Sequence, residues 1–125
     1  MSTTESAATS LQPITLLPGA LSAQTAGHFS QQNQHCGFTV SAGAGETLIV
    51  NIIPVTPMLG TAGTVAFPGG GQTGGPGGVI MNQVLEQSGT YTIEAFQNTM
   101  ASNLSQGDLV VEVVRLPAWL TSSQG

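Results

Sequence analysis

The chain has almost no positive charge. Its 125 residues include a single arginine, Arg115, and no lysine, against six acidic residues, so the formal net charge is −5. A protein that binds nucleic acid needs several cations to displace counterions from the phosphates, and attraction to an anionic membrane surface has the same requirement. The composition therefore excludes a nucleic-acid-binding protein and a protein drawn electrostatically to a membrane.

Charge of either sign is scarce. Charged residues make up 6% of the chain, compared with about 25% in an average soluble domain. The surface must therefore be covered with Ser, Thr, Gln, Asn and Gly, whereas a solitary cytosolic protein usually relies on more charge for its solubility. This composition predicts either a surface that partners cover or an extracellular setting, and it does not separate the two.

The sequence has a single cysteine and shows neither a signal-peptide pattern nor a long apolar run. Cys36 is the only cysteine, so a scaffold stapled by intrachain disulfides is excluded. The N-terminal sequence MSTTESAATS has neither the basic region nor the apolar core of a signal peptide, and no apolar run approaches the ~20 residues of a membrane span. We therefore expect a protein made and first folded in a cytoplasm, unless it uses an unusual export route or is cut from a precursor.

Short β-prone runs, separated by Gly, Pro, Asn and Ser, follow from residue 13 onward. No window has the 3.6-residue apolar period of an amphipathic helix. The runs are 13–17, 25–31, 36–40, 46–53, 63–67, 78–85, 90–97 and 109–116. Six to eight short strands at fairly even spacing predict an all-β fold, namely an antiparallel β-sandwich of the jelly-roll type.

The remaining segments define the expected organisation of the chain. Residues 1–12 predict a polar N-terminal arm, because Leu11 is the only large apolar side chain after Met1 and so little burial can offset the cost of ordering the segment. Residues 13–120 form the predicted sandwich domain. Within it, seven of the ten residues in 69–78 are glycine, which favours a flexible loop. Residues 121–125 form a polar tail.

Two of the predicted strands are apolar on both faces. In 46–53, Leu48 and Val50 alternate with Ile49, and 109–116 places Val111 and Val110 on opposite sides. A half-solvated antiparallel strand should alternate more cleanly, so we expect both faces to be covered. The second cover is either a neighbouring subunit or a loop or arm of the same chain, and the sequence leaves both open.

No catalytic, cofactor-binding or metal-binding residues emerge from the sequence. His28, His35 and Cys36 lie close together but fall short of the four ligands of a structural zinc site. The glycine-rich segment is not followed by the lysine of a phosphate-binding loop. Glu94 and Glu112 would form a carboxylate pair only if their strands were neighbours, and too few aromatics are present to line a sugar cleft. We therefore expect no enzyme, no cofactor and no metal.

The C-terminal two thirds of the chain resemble a known family. The segments FTVSAGAGETLIVNI, SGTYTIEAF and GDLVVEVV are similar to strands of the pre-peptidase C-terminal domains, which are small jelly-roll modules appended to secreted peptidases. The resemblance covers roughly residues 37–116. Residues 63–67 depart from it, because the family often has an Asp-rich strand at that point. The resemblance implies a jelly-roll-like sandwich.

In overall design the chain is also similar to phage capsid decoration (cement) proteins, which are small sandwiches with a polar arm and few charges. The sequence thus predicts a non-enzymatic structural protein on a virion surface, made in the host cytoplasm. As a decoration or other coat component, it would dock as a homo-oligomer on a larger shell. The alternative is a carbohydrate- or surface-binding module, in which Trp119 and Tyr91 stack on the ligand. For Trp119 itself, its position beside Pro117 and Leu120 favours a plug at one end of the core over a stacking role.

Arg115 is predicted to have a structural role. It lies near the end of an apolar strand, on the same side as Leu109, Val111 and Val113. A guanidinium near the edge of a core is expected to pair with a carboxylate, because an unpaired buried charge is costly. The candidates are Glu46, Glu86 and Glu94. The alternative is that the side chain reaches solvent at the end of the strand.

Overall fold

A computed structural model describes residues 11–17, 20–30, 35–98 and 106–119, and these residues contain nine β-strands. The strands are β1 (Leu11–Pro13), β2 (Ser22–Phe29), β3 (His35–Ala42), β4 (Thr47–Pro54), β5 (Thr61–Ala66), β6 (Gln72–Pro76), β7 (Gly78–Val84), β8 (Gly89–Gln97) and β9 (Gly107–Leu116). Each predicted run from 25–31 onward overlaps a strand, although residue 31 lies outside the described residues. The first run, 13–17, overlaps β1 only at Pro13.

The strands form two sheets. The five-stranded sheet has the order β1-β3-β8-β5-β6, and the four-stranded sheet has the order β2-β9-β4-β7. Every pairing is antiparallel except that of β1 with β3. Strands β2 to β9 have the connectivity of an eight-stranded jelly roll, so the predicted all-β sandwich is confirmed.

The core lies between the two sheets and consists mainly of aliphatic side chains. Along β9, the side chains of Leu109, Val111 and Val113 are fully buried, and Val50 and Ile52 of β4 lie beside them in the same sheet. Alternate residues of a strand point to opposite faces, so each of these strands contributes one set of side chains to the core. The scarcity of aromatics thus leaves the interior to Val, Ile, Leu and Ala.

The outer face of the four-stranded sheet differs from the prediction of full cover on both sides. Ile49 and Ile53 of β4 and Val110 and Val114 of β9 are only half-buried there. The two strands lie in the middle of the sheet, where side chains of adjacent strands shield one another without a second layer. At the edge strand β7, which lacks a neighbour on one side, Val79 is 59% exposed.

The glycine-rich segment also departs from its prediction. Gln72–Pro76 is a strand that pairs in antiparallel fashion with β5, so the expected flexible loop is wrong for residues 72–76. Gly74 lies so close to β5 that a Cβ atom built on it would meet the carbonyl oxygen of Gly63. The absence of a side chain is therefore what lets these two strands approach.

The N-terminal arm was predicted to end at residue 12, but residues 11 and 12 belong to β1. After β1, the side chains of Ile14 and Leu16 join the core. Residues 1–10 of the predicted arm and the predicted tail 121–125 lie outside the described residues. The domain limits of 13–120 remain a prediction. No helix in the described part of the chain is long and apolar enough to cross a membrane.

Candidate functional site

The two histidines lie against carboxylates on adjacent strands. His28 Nδ1 is 2.7 Å from Asp108 Oδ1 across β2 and β9, and His35 Nδ1 is 3.3 Å from Glu94 Oε2 across β3 and β8. The Cys36 thiol donates a hydrogen bond to the backbone oxygen of His28 at 3.3 Å. Within the described ranges, no three His, Cys, Asp or Glu side chains are grouped so that they could hold a metal ion.

The two carboxylates considered as a pair lie in different sheets. Glu94 belongs to β8 of the five-stranded sheet, whereas Glu112 belongs to β9 of the four-stranded sheet. Glu112 instead accepts hydrogen bonds at 3.4 Å from the amides of Gln24 and Asn51 on the two flanking strands. The structure therefore does not bring the two carboxylates together.

The two aromatic residues considered for ligand stacking have opposite surroundings. Tyr91 is 2% exposed, and its hydroxyl donates a hydrogen bond to the backbone oxygen of Gln87 at 2.6 Å. Its ring therefore cannot be a stacking platform. Trp119 is 70% exposed, so the expectation that it plugs one end of the core is wrong.

The hydrogen-bond partner of Arg115 is not the carboxylate that the sequence predicted. Its guanidinium donates a hydrogen bond to the backbone oxygen of Ser41 at 2.8 Å, and no salt bridge joins it to an acidic residue in the described parts of the chain. The side chain is half-buried and joins the end of β9 to β3 in the other sheet. The predicted structural role thus involves a carbonyl oxygen instead of a carboxylate.

A pocket opens at the end of the sandwich where the β5–β6 and β7–β8 turns meet. It encloses about 340 Å³. Its lining includes Phe67, Gln83, Leu85, Glu86, Gln87 and Tyr91, and we call it the turn pocket. The buried side chains of Leu85 and Tyr91 contribute apolar surface, while Gln83, Glu86 and Gln87 are exposed polar residues. A concave site that combines apolar walls with a few polar groups is typical of binding sites.

The local sequence explains the shape of the turn pocket. Gly70 and Gly71 have φ values of +107° and +91°, a conformation that glycine adopts without strain. The turn they form is closed by a hydrogen bond from the Phe67 amide to the Gly71 oxygen at 3.0 Å. The Phe67 ring packs edge-on against Tyr91, with 5.8 Å between the ring centroids. On the other side, the Leu85 amide donates to the Glu46 oxygen at 2.8 Å and holds the β7–β8 turn in place.

Glu86 is the acidic residue in the lining of the turn pocket. Burial raises the pKa of the Tyr91 phenol above 10.0, the hydrogen bond to the Gln87 oxygen partly offsets this, and the negative charge of Glu86 raises it further. The carboxylate is therefore close enough to act on the phenol. Sequence reasoning weighed Glu86 only as a partner for Arg115 and missed the pocket, because its residues come from two turns and two strands.

Known proteins resemble this chain in fold and not in any recognised sequence family. Neither a protein-family model nor a curated protein matches the sequence. Among solved structures, the chain is similar to small β-sandwich proteins of bacteria, which agrees with its two-sheet architecture.

The solved structures that are similar to this chain include inhibitors of lysozyme. The periplasmic inhibitor of g-type lysozyme PliG from Aeromonas hydrophila is 26% identical with a TM-score of 0.66, over 85% of this chain and 96% of that protein. A mutant of PliG from Escherichia coli is 16% identical with a TM-score of 0.59, over 84% of this chain and 96% of the other. The pre-peptidase C-terminal domain of a Bacillus anthracis collagenase is 12% identical with a TM-score of 0.57, over 85% and 94% of the two chains, and shows the shared fold alone.

These similarities correct the functional expectations. Virion decoration is wrong, as is a location on a virion surface, because the similar proteins are periplasmic inhibitors with no link to a virus coat. The carbohydrate-binding alternative is withdrawn for the same reason, and the burial of Tyr91 removes one of its two stacking residues. The resemblance to pre-peptidase C-terminal domains holds for the β-sandwich fold.

Proposed function

We propose that this protein is a non-enzymatic binding protein that forms a complex with a g-type lysozyme and inhibits it. The observation that carries the proposal is the likeness to the Aeromonas hydrophila inhibitor, which extends over 85% of this chain and 96% of the inhibitor at 26% identity. Inhibitors from Escherichia coli and Salmonella Typhimurium have the same fold at lower identity.

The composition of the chain supports a protein partner. Protein-binding surfaces are depleted of charged residues at their centres, and this chain has few charges anywhere. Its net charge of −5 favours association with a partner that presents positive charge, because opposite potentials steer two proteins together. The exposed large apolar residues Val55, Met58 and Val79 supply further contact area.

The proposed location follows from the same similarity. We propose that the protein is periplasmic or secreted, because the similar inhibitors are periplasmic. Cell fractionation of the native source with an antibody against the chain tests this, and recovery in the cytosolic fraction alone would refute it.

Inhibition of cell-wall lysis tests the proposed function. Purified protein added to a g-type lysozyme should abolish its lytic activity at a near-stoichiometric ratio, while a lysozyme of another structural type serves as the control for specificity. Unchanged lysis by the g-type enzyme at a hundredfold excess of the chain would refute the proposal.

Self-association stays a prediction of the sequence. Light scattering coupled to size-exclusion chromatography of the full chain measures it directly. A mass of one chain at all concentrations would contradict it without affecting the proposed inhibitor function.

A further inference from the structure

We propose that the turn pocket receives an arginine side chain of the partner protein, with its guanidinium on the carboxylate of Glu86. This inference rests on the proposed function for the identity of the partner, although the site itself is defined by this chain alone. The pocket joins an apolar lining to one acidic group and two amide side chains at its mouth.

Glu86 is set apart from the other acidic residues of the described chain. Of the six acidic residues, Glu5 lies outside the described residues, which leaves five. Four of these have polar side-chain or backbone partners, namely Glu46, Glu94, Asp108 and Glu112. Glu86 has neither a hydrogen bond nor an ion pair from its carboxylate to another described residue, so its charge is available to an incoming cation.

The described residues offer no arginine or lysine side chain for this position. The guanidinium of Arg115 already donates a hydrogen bond to the Ser41 oxygen, and lysine is absent. A positive group in the turn pocket must therefore come from outside the described chain. With a net charge of −5, the rest of the protein attracts that group as well.

The lining of the turn pocket favours arginine over lysine. A guanidinium is planar, packs against aromatic rings and binds a carboxylate through two parallel hydrogen bonds. The half-buried ring of Phe67 supplies aromatic surface, and Glu86 supplies the carboxylate. The side-chain oxygens of Gln83 and Gln87 are acceptors for the remaining N–H groups. A lysine ammonium would bind the carboxylate of Glu86 but would not stack on the aromatic ring of Phe67.

The volume of the turn pocket agrees with a single side chain. Pockets for small molecules span about 300–1,000 Å³, and the turn pocket, at about 340 Å³, lies at the lower limit of that range. This space suits one inserted residue of a larger protein. A charged anchor in a concave site, surrounded by contacts that exclude water, is a common arrangement at the centre of a protein interface.

A titration with an arginine probe tests the site on the full chain. N-acetyl-arginine methylamide, followed by two-dimensional NMR, should shift the amide signals of Gly70, Glu86 and Gln87, whereas the uncharged citrulline analogue should not. The Glu86→Gln variant keeps the size of the side chain and should lose these shifts. The matched control is Glu112→Gln in β9, on the outer face of the four-stranded sheet. This variant should retain the shifts. Shifts that are absent in the wild type, or that persist in Glu86→Gln, would overturn the inference.

Binding of the same variants to a g-type lysozyme separates the site from the proposed function. Glu86→Gln should weaken the complex at least tenfold, and Glu112→Gln less than twofold. A complex that Glu86→Gln leaves unchanged would overturn the inference while the proposed function stands. If the wild type binds no lysozyme, the proposed function fails, and the probe titration alone decides the inference.

Discussion

Tyr91 combines a buried ring with a satisfied hydroxyl. The hydroxyl donates to the Gln87 oxygen at 2.6 Å, four residues earlier in the chain, and so ties the β7–β8 turn to β8. Tyr91→Phe should lower the free energy of unfolding by about 0.5–1.5 kcal/mol, because the hydrogen bond to the Gln87 carbonyl is lost. Urea unfolding measures the loss, with Thr90→Ala at the exposed neighbouring position as the control. Equal stability of Tyr91→Phe and the wild type would show that the hydrogen bond contributes nothing.

A half-buried thiol, Cys36, and a buried phenol, Tyr91, predict a loss of stability at high pH. Burial raises the pKa of the Cys36 thiol above 9.0, against a smaller opposing effect of its hydrogen bond to His28, and burial also raises the pKa of Tyr91 above 10.0. Both groups are neutral in the folded protein at a pH where the unfolded chain has begun to ionise. Their contribution is therefore complete below about pH 9 and is lost as the pH rises through the raised values.

Unfolding free energies at pH 8 and above pH 10 test this linkage. We expect a decline over that interval, and a smaller decline in the double variant Cys36→Ala with Tyr91→Phe. A decline of the same size in the double variant would assign the effect to other groups.

The side-chain partners were the part of the structure that the sequence predicted least well. Arg115 was expected to seek a carboxylate, yet it donates to the Ser41 oxygen. His28 lies against Asp108 because the two residues are register partners in β2 and β9. Register depends on how all the strands pair, and a single sequence does not state that pairing. Residue types alone therefore could not select these partners.

The pairing of β6 with β5 requires a close approach of the two backbones. Two adjacent glycines of β6, Gly74 and Gly75, allow a matched test of that approach. A Cβ on Gly74 would lie 2.3 Å from the Gly63 oxygen, whereas a Cβ on Gly75 would meet nothing within 4 Å. Gly74→Ala should therefore destabilise the protein by about 1–3 kcal/mol through overpacking, and Gly75→Ala should change stability by about 0.5 kcal/mol or less. Thermal unfolding distinguishes them. Equal effects of the two substitutions would contradict the close pairing of β5 and β6.

Strands with large apolar side chains, such as β4 and β9, are readily predicted from the sequence. β4 and β9 place Val, Ile and Leu at every second position, and their core faces are fully buried. β6 was missed because Gly74 and Gly75 carry no side chain and leave no apolar period to detect. Its conformation is imposed by the hydrogen-bonding edge of β5, which is a property of the folded sheet.

The turn pocket could not be predicted for a related reason. Phe67 ends the run that became β5, and Glu86 lies in the turn before β8, so the two residues are separated along the chain. Only the jelly-roll connectivity brings these turns to the same end of the molecule. The glycines at positions 70 and 71 signal a tight turn, but not which turn lies opposite.

The molecule as a whole has a surface that is poor in charge and a fold that other proteins use for binding. The low charge led to the expectation of either a covered surface or an extracellular setting, and both agree with the proposed binding protein of the periplasm. The expected partner, a virion shell, was wrong, because the similar structures are periplasmic inhibitors of lysozyme. Composition bounds the kind of interaction, whereas the identity of the partner depends on surface detail that composition does not contain.

Isothermal titration calorimetry of the full chain with a g-type lysozyme tests the proposed function most directly. We expect a saturable heat with one chain bound per lysozyme, and an affinity that falls as salt is raised, because an acidic protein and a cationic anchor attract each other less when screened. The stoichiometry should match that of lytic inhibition. The absence of any binding heat at several temperatures, together with undiminished lysis, would show that this chain shares the fold of the inhibitors and not their function.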